Sequence, residues 1–121
     1  METKVLEKKN STPFEIIYVH VPCGSRINAE KIAIAAIKDR LASCTHIMSV
    51  DSHYEWNSEL QKEDEHLLIL KTLPWAASTL QSLIEEQHEY DIPCILMIRA
   101  SVNESYFDWM KRQIRLNEIN V

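Results

Sequence analysis

The 121-residue sequence predicts an α+β fold of the ferredoxin-like kind, ordered β-α-β-β-α-β with one further helix at the C-terminal end. Three observations lead there. The length suits a single domain, and a hydrophobic fraction of 45% can fill one core. Four runs are rich in β-branched and aromatic residues and are bounded by turn formers. Three stretches among them carry apolar residues at helical spacing.

Residues 1–12 read as a flexible N-terminal tail and 13–121 as the domain. FEIIYVHV, 14–21, is the first strand, and Pro22-Cys23-Gly24-Ser25 closes it. NAEKIAIAAIKDRLASC follows as a helix capped by Asn28. Ala29, Ile32, Ala33, Ala36, Ile37 and Leu41 line its inner side, and so many alanines imply close packing on a sheet. Residues 45–56 alternate: His46, Met48, Val50, Tyr54 and Trp56 take one side of a strand, and a mostly polar set takes the other. NSELQKED reads as the connection of a long hairpin whose second arm, 65–72, is apolar on both faces at its centre. Pro74 opens a second helix running to about His88. DIPCILMIRA, 91–100, is the fourth strand, and Ser101 or Asn103 caps a last helix bearing Tyr106, Phe107, Trp109, Met110 and Ile114. The two central helices leave one sheet face uncovered, with Met48, Val50, Tyr54 and Trp56 on it, so self-association is expected.

Composition excludes several functions. A net charge of -5 argues against nucleic acid as a partner and against an anionic membrane, since both require basic surface. The polar opening METKVLEKKNSTP lacks the apolar run of a secretory signal. Three cysteines at wide spacing form no disulfide framework, which favours a reducing compartment such as the cytoplasm. A single glycine, Gly24, rules out a phosphate-cradling loop. No nucleophile pair or substrate handle marks an enzyme, so catalysis is not expected.

Candidate polar residues are dispersed. Cys23, Cys44 and Cys94 make no zinc-type pair, and His20-x-x-Cys23 is a close His/Cys pair whose two ligands do not close a site. His46 and His53 fall on opposite faces of their strand. The position of His66 depends on a hairpin register that cannot be read. His88 closes the second helix, where an imidazole can meet the last carbonyls. The hairpin acids Glu55, Glu59, Glu63, Asp64 and Glu65 offer hard oxygen ligands without calcium-loop spacing. Lys71 lies at the end of an apolar strand, and burial of its ammonium calls for an anion. Glu65 shares its face but stands six residues, about 20 Å, away.

IAIAAIKDRLASCTHI, YEW, LLILKT and HEYDIPCILMI together resemble the CutA family of divalent-cation-tolerance proteins over about Phe14 to Trp109. The family pattern is a helix ending near LAACVN, then Y-x-W-x-G-K, an E-x-x-x-x-x-K-T strand, H-P-Y with P-E soon after, and a Y-x-x-W helix. The resemblance implies a homotrimer whose hairpin and C-terminal elements join neighbouring sheets, giving Tyr54, Trp56, Tyr106 and Trp109 structural roles at subunit contacts. It places Glu65, Lys71, His88 and Tyr90 in an inter-subunit ligand cleft. Three departures stand out: Ser58-Glu59 for Gly-Lys, Glu89 for the proline of H-P-Y, and Cys94 for the glutamate after Pro93. The first loop also looks about two residues long, so Cys23 falls close to, but out of register with, a copper-linked cysteine of some members.

Two functions follow. One is a trimeric metal-responsive protein of copper or divalent-cation tolerance, with Cys94, His88, Glu59 and Cys23 as candidate ligands and no obligatory cofactor. The other is a metal-independent trimer that binds a small polar ligand or a protein through its cleft.

Overall fold

The structure is a computed structural model in which residues 13–116 are described. Strands β1 (Glu15–Cys23), β2 (Cys44–Trp56), β3 (Glu59–Thr72) and β4 (Leu96–Ser101) form one antiparallel sheet ordered β2-β3-β1-β4. Helices α1 (Arg26–Lys38) and α2 (Ala77–Gln87) form the crossovers, and α3 (Glu104–Gln113) follows β4. The predicted ferredoxin-like order is the observed one. The expected tail at 1–12 lies outside the described residues, as do residues 117–121 of the expected domain.

Alternation along the strands sorts the two faces. Val19, Val21 and Cys23 of β1 stand opposite Leu70, Leu68 and His66 of β3, and all but His66 are fully buried. The same core holds Ala29, Ile32, Ala33 and Ala36 of α1 and Leu80 and Ile84 of α2. Small side chains on α1 let its backbone lie close to the sheet. Each large aliphatic side chain buried there contributes about 1.5–3 kcal/mol. Ile37, expected on the inner stripe, is 41% exposed, whereas Leu41 reaches the core from beyond the end of the helix. Arg40, at φ 58°, turns the chain there, in a conformation glycine usually supplies.

Five boundaries differ from expectation. β1 continues through Pro22 and Cys23, because Pro22 pairs with Leu67 without needing an amide at that position. α1 is capped by Ser25, whose hydroxyl accepts from the Asn28 amide. The hairpin turns on only two residues, Asn57 and Ser58, at φ 53° and 66°, and β3 starts at Glu59 rather than Glu65. Positive φ at both central residues is the turn geometry that matches strand twist, and Asn-Ser adopts it without the usual glycine. β4 begins at Leu96, so Asp91 to Ile95 precede the strand. Pro74 sits in a short 3-10 turn, Pro74–Ala76, that leads into α2.

The other face carries Tyr18 and His20 of β1, Leu67, Ile69 and Lys71 of β3, and Met48, Tyr54 and Trp56 of β2. Leu96 and Ile98 of β4 extend it. Met48 (47%), Trp56 (58%) and Leu96 (50%) are strongly exposed within the single chain. Near one end α3 packs beside the sheet, with the Tyr106 ring 5.1 Å from the Lys71 ammonium and the Phe107 ring against Phe14.

Candidate functional site

The largest concentration of buried polar chemistry lies where β1 ends, α1 begins and α2 stops. Glu65, His88 and Asn28 are all buried there. Asn28 lies four residues before Ile32, on the buried stripe of α1, so its amide must find partners inside. It donates from Nδ2 to the Gln87 carbonyl (3.0 Å) and accepts from the Glu89 amide at Oδ1 (3.3 Å). Asn28 therefore ties the last turn of α2 to the first turn of α1 instead of capping its own helix. Ser25 adds a hydroxyl bond to the Glu89 carboxylate at 3.2 Å.

This tie presents His88 and Tyr90 to the end of β1. His88 Nδ1 accepts from the Tyr90 amide at 3.0 Å, which leaves the other nitrogen to carry the proton. Nε2 then donates to the Pro22 carbonyl at 2.9 Å. Tyr90 passes Gly24 and donates its hydroxyl to Glu65 Oε2 at 2.7 Å. A Cβ on Gly24 would stand 2.9 Å from the Tyr90 oxygen, so any side chain there would push the Tyr90 ring aside. Burial first, then the bond to the Glu65 carboxylate, pushes the Tyr90 phenol well above its ordinary value. Burial chiefly, with the Glu65 and Glu89 charges, raises the Cys23 thiol to about 11. Consistent with a protonated thiol, Cys23 Sγ donates to the Val21 carbonyl at 3.6 Å.

Of the four cleft candidates, Glu65, His88 and Tyr90 converge. Lys71 lies toward the other end of β3, opposite Cys44 and Tyr18, and its ammonium faces the Tyr106 ring. The metal candidates Cys94, His88, Glu59 and Cys23 do not gather: Cys94 and Glu59 are exposed, Cys23 is buried, and both His88 ring nitrogens are engaged. Among the described residues, no group of three or more His, Cys, Asp or Glu is placed to hold a metal ion. The hairpin acids split by parity. Glu59, Glu63 and Glu65 fall on the open face, whereas Asp64 takes the other face directly opposite Asp51. Tyr54 donates to the Glu63 carboxylate. Trp109 stacks at 5.4 Å on Tyr106, and Trp56 stays exposed near the hairpin tip.

Sequence reasoning named Asn28 only as a helix cap, Glu89 only as a departure from the family pattern and His66 without a register, and it missed Ser25 as the cap. Asn28 left a usable signal, a polar residue on an apolar helical stripe. The others depend on tertiary placement.

The profile of the family described as "CutA1 divalent ion tolerance protein" matches residues 17–113, from β1 to α3. The chain belongs to the CutA1 family. Among relatives, the Divalent-cation tolerance protein CutA of Thermus thermophilus is 33% identical over 99 residues, covering 80% of this chain and 94% of that protein. Protein CutA, chloroplastic, of Arabidopsis thaliana is 31% identical over 111 residues, or 90% of this chain. The chain spans only 60% of the length of that plant relative and 63% of its rice counterpart. The crystal structure of CutA1 from Oryza sativa superposes with a TM-score of 0.80 at 29% identity, covering 87% of this chain and 98% of that one. CutA1 from Pyrococcus horikoshii gives 0.80 at 29%, covering 83% and 99%. Divalent-cation tolerance is the property for which the family and several of these relatives are named. No helix among the described residues is long and apolar enough to cross a membrane.

Proposed function

We propose that this chain works as a homotrimeric, metal-responsive protein of divalent-cation tolerance, with copper among its cations, and that it acts by binding rather than by catalysis. The observation carrying the reading is the family match across residues 17–113, together with the cation-tolerance names of its relatives. The exposed apolar sheet face supports assembly, because a monomer rarely leaves so much of it open. Exposed Cys94 and Glu59 are the accessible candidate ligands. Three unpaired cysteines fit a reducing compartment such as the cytoplasm.

Cu²⁺ binds most exposed nitrogen, sulfur and carboxylate groups, so the test must compete it away. Equilibrium dialysis of the metal-free protein against Cu²⁺ and Zn²⁺, with a modest chelator present, is expected to give saturable whole-number uptake per chain. Cys94→Ser should keep the assembly and lower the uptake of copper. Equal affinity in the two proteins removes Cys94 from the site.

One observation favours a second reading, in which the trimer binds a small polar ligand or a protein without metal. Both His88 nitrogens are spent on holding Tyr90 and β1, which suits a rigid polar wall formed with Glu65. Complete loss of metal to the chelator supports this reading over the first.

A further inference from the structure

His20 is the group on the open sheet face least suited to an apolar cover. Ile69 of β3 stands opposite it on one side and Leu96 of β4 on the other. Its Nε2 is already enclosed within the single chain, without a hydrogen-bond partner. Nδ1 is not enclosed and makes no bond among the described residues, so water is left to pair with it. The Tyr18 ring lies against the imidazole at 5.0 Å.

The groups that face His20 supply no counter-charge. β1 brings Tyr18 and Pro22, and β3 brings Leu67, Ile69 and then Lys71, opposite Tyr18. β4 brings Leu96 and Ile98, and the exposed Asp91 and Cys94 lie in the segment before it. β2, one strand further, brings Cys44, His46 and Met48, with His46 in the same row as Ile69 and His20. The Lys71 ammonium, under the Tyr106 ring of α3, is a like charge to an imidazolium. Glu65, the next carboxylate along β3 on this face, stands four residues, about 13 Å, from Ile69. It is occupied by the Tyr90 hydroxyl.

We propose that His20 makes assembly through this face pH-dependent: copies associate with the ring neutral, and its protonation drives them apart. This rests on the reading above, that the open face is the contact between copies. A protonated imidazole carries two N–H donors and no acceptor. In the single chain, water can take the hydrogen on Nδ1. A second copy laid over the face removes that water and leaves a charged ring among Ile69, Leu96 and Lys71, which strongly disfavours the cation. The contact with Tyr18 belongs to the chain itself, so it favours the cation equally before and after assembly and shifts nothing. Each chain released into acid takes one proton from solvent at His20, and no covalent bond between heavy atoms changes.

The test mixes unlabelled and nitrogen-15-labelled full chain and follows mixed trimers by native mass spectrometry, which reads subunit exchange even in a tight assembly. Imidazole changes its charge between about pH 5 and 8, so the mixing is run across that range. Wild-type exchange should accelerate as the pH falls. With one proton taken up by each of three chains, the association constant should drop by up to about 1,000-fold per pH unit. His20→Leu and His20→Gln, uncharged throughout, should exchange at a nearly constant rate, whereas His46→Gln should keep the wild-type acceleration. A wild-type rate that is flat from pH 8 to 5, or an acceleration that both His20 variants retain, overturns the proposal and leaves the trimer standing. A chain that is monomeric at pH 8 overturns the assembly reading itself, and this proposal with it.

Discussion

Ser58 holds a φ of 66° in a two-residue turn whose reversal it shares with Asn57. A β-carbon in that region costs on the order of 1 kcal/mol, which glycine avoids. Ser58→Gly is therefore expected to raise the chemical-denaturation midpoint, equivalent to roughly 1 kcal/mol; a lower midpoint would mean that Ser58 is not strained. Cys23 gives a second prediction at this scale. Its thiol is raised from an ordinary value near 9 to about 11, so the folded state favours the neutral form. That contribution is complete below the unfolded value and fades as pH climbs through about 11. Stability measured from pH 8 to 11 should fall less steeply in Cys23→Ala than in wild type; parallel curves would show that Cys23 ionises as freely folded as unfolded. Residues like these were half legible in the sequence. The polar Asn28 on an apolar stripe was visible, but its partners Gln87 and Glu89 lie about sixty positions away, and no local pattern announces them.

The junction of β1, α1 and α2 behaves as one element. Glu65 is 6% exposed, and the Tyr90 hydroxyl is the donor that satisfies its carboxylate. Removing that donor with Tyr90→Phe should cost about 1–3 kcal/mol, the penalty for a buried acceptor left unpaired. Glu65→Gln keeps an oxygen for the phenol and should cost clearly less; thermal melts of the two variants check the order, and equal losses would contradict it. Strand and helix identities were readable because periods of two and 3.6 are local properties. Register was not. The hairpin closes at Asn57-Ser58 instead of through an eight-residue connection because tertiary pairing imposed positive φ on a sequence without glycine. The pairing of β3 with β1, which sets His66 opposite Cys23, was equally hidden.

Across the whole molecule, the order of elements and the uncovered sheet face followed from alternation in β2, where Met48, Tyr54 and Trp56 share a side. The candidate site followed less well. Glu65, His88 and Tyr90 do converge, but the four metal candidates are scattered, because their positions depend on where loops end. If the open face is an assembly surface, Trp56, 58% exposed in the single chain, is a contact residue. Trp56→Ala should then weaken association and lower the thermal midpoint; an unchanged oligomer mass and midpoint would exclude Trp56 from the interface. The most direct test of the central claim is native mass spectrometry of the metal-free protein, followed by titration with Cu²⁺ against a competing chelator. A species at three times the 14.1 kDa chain mass that takes up copper saturably, in multiples of three, is the predicted result. A monomer, or a trimer that yields all its copper to the chelator, would contradict it.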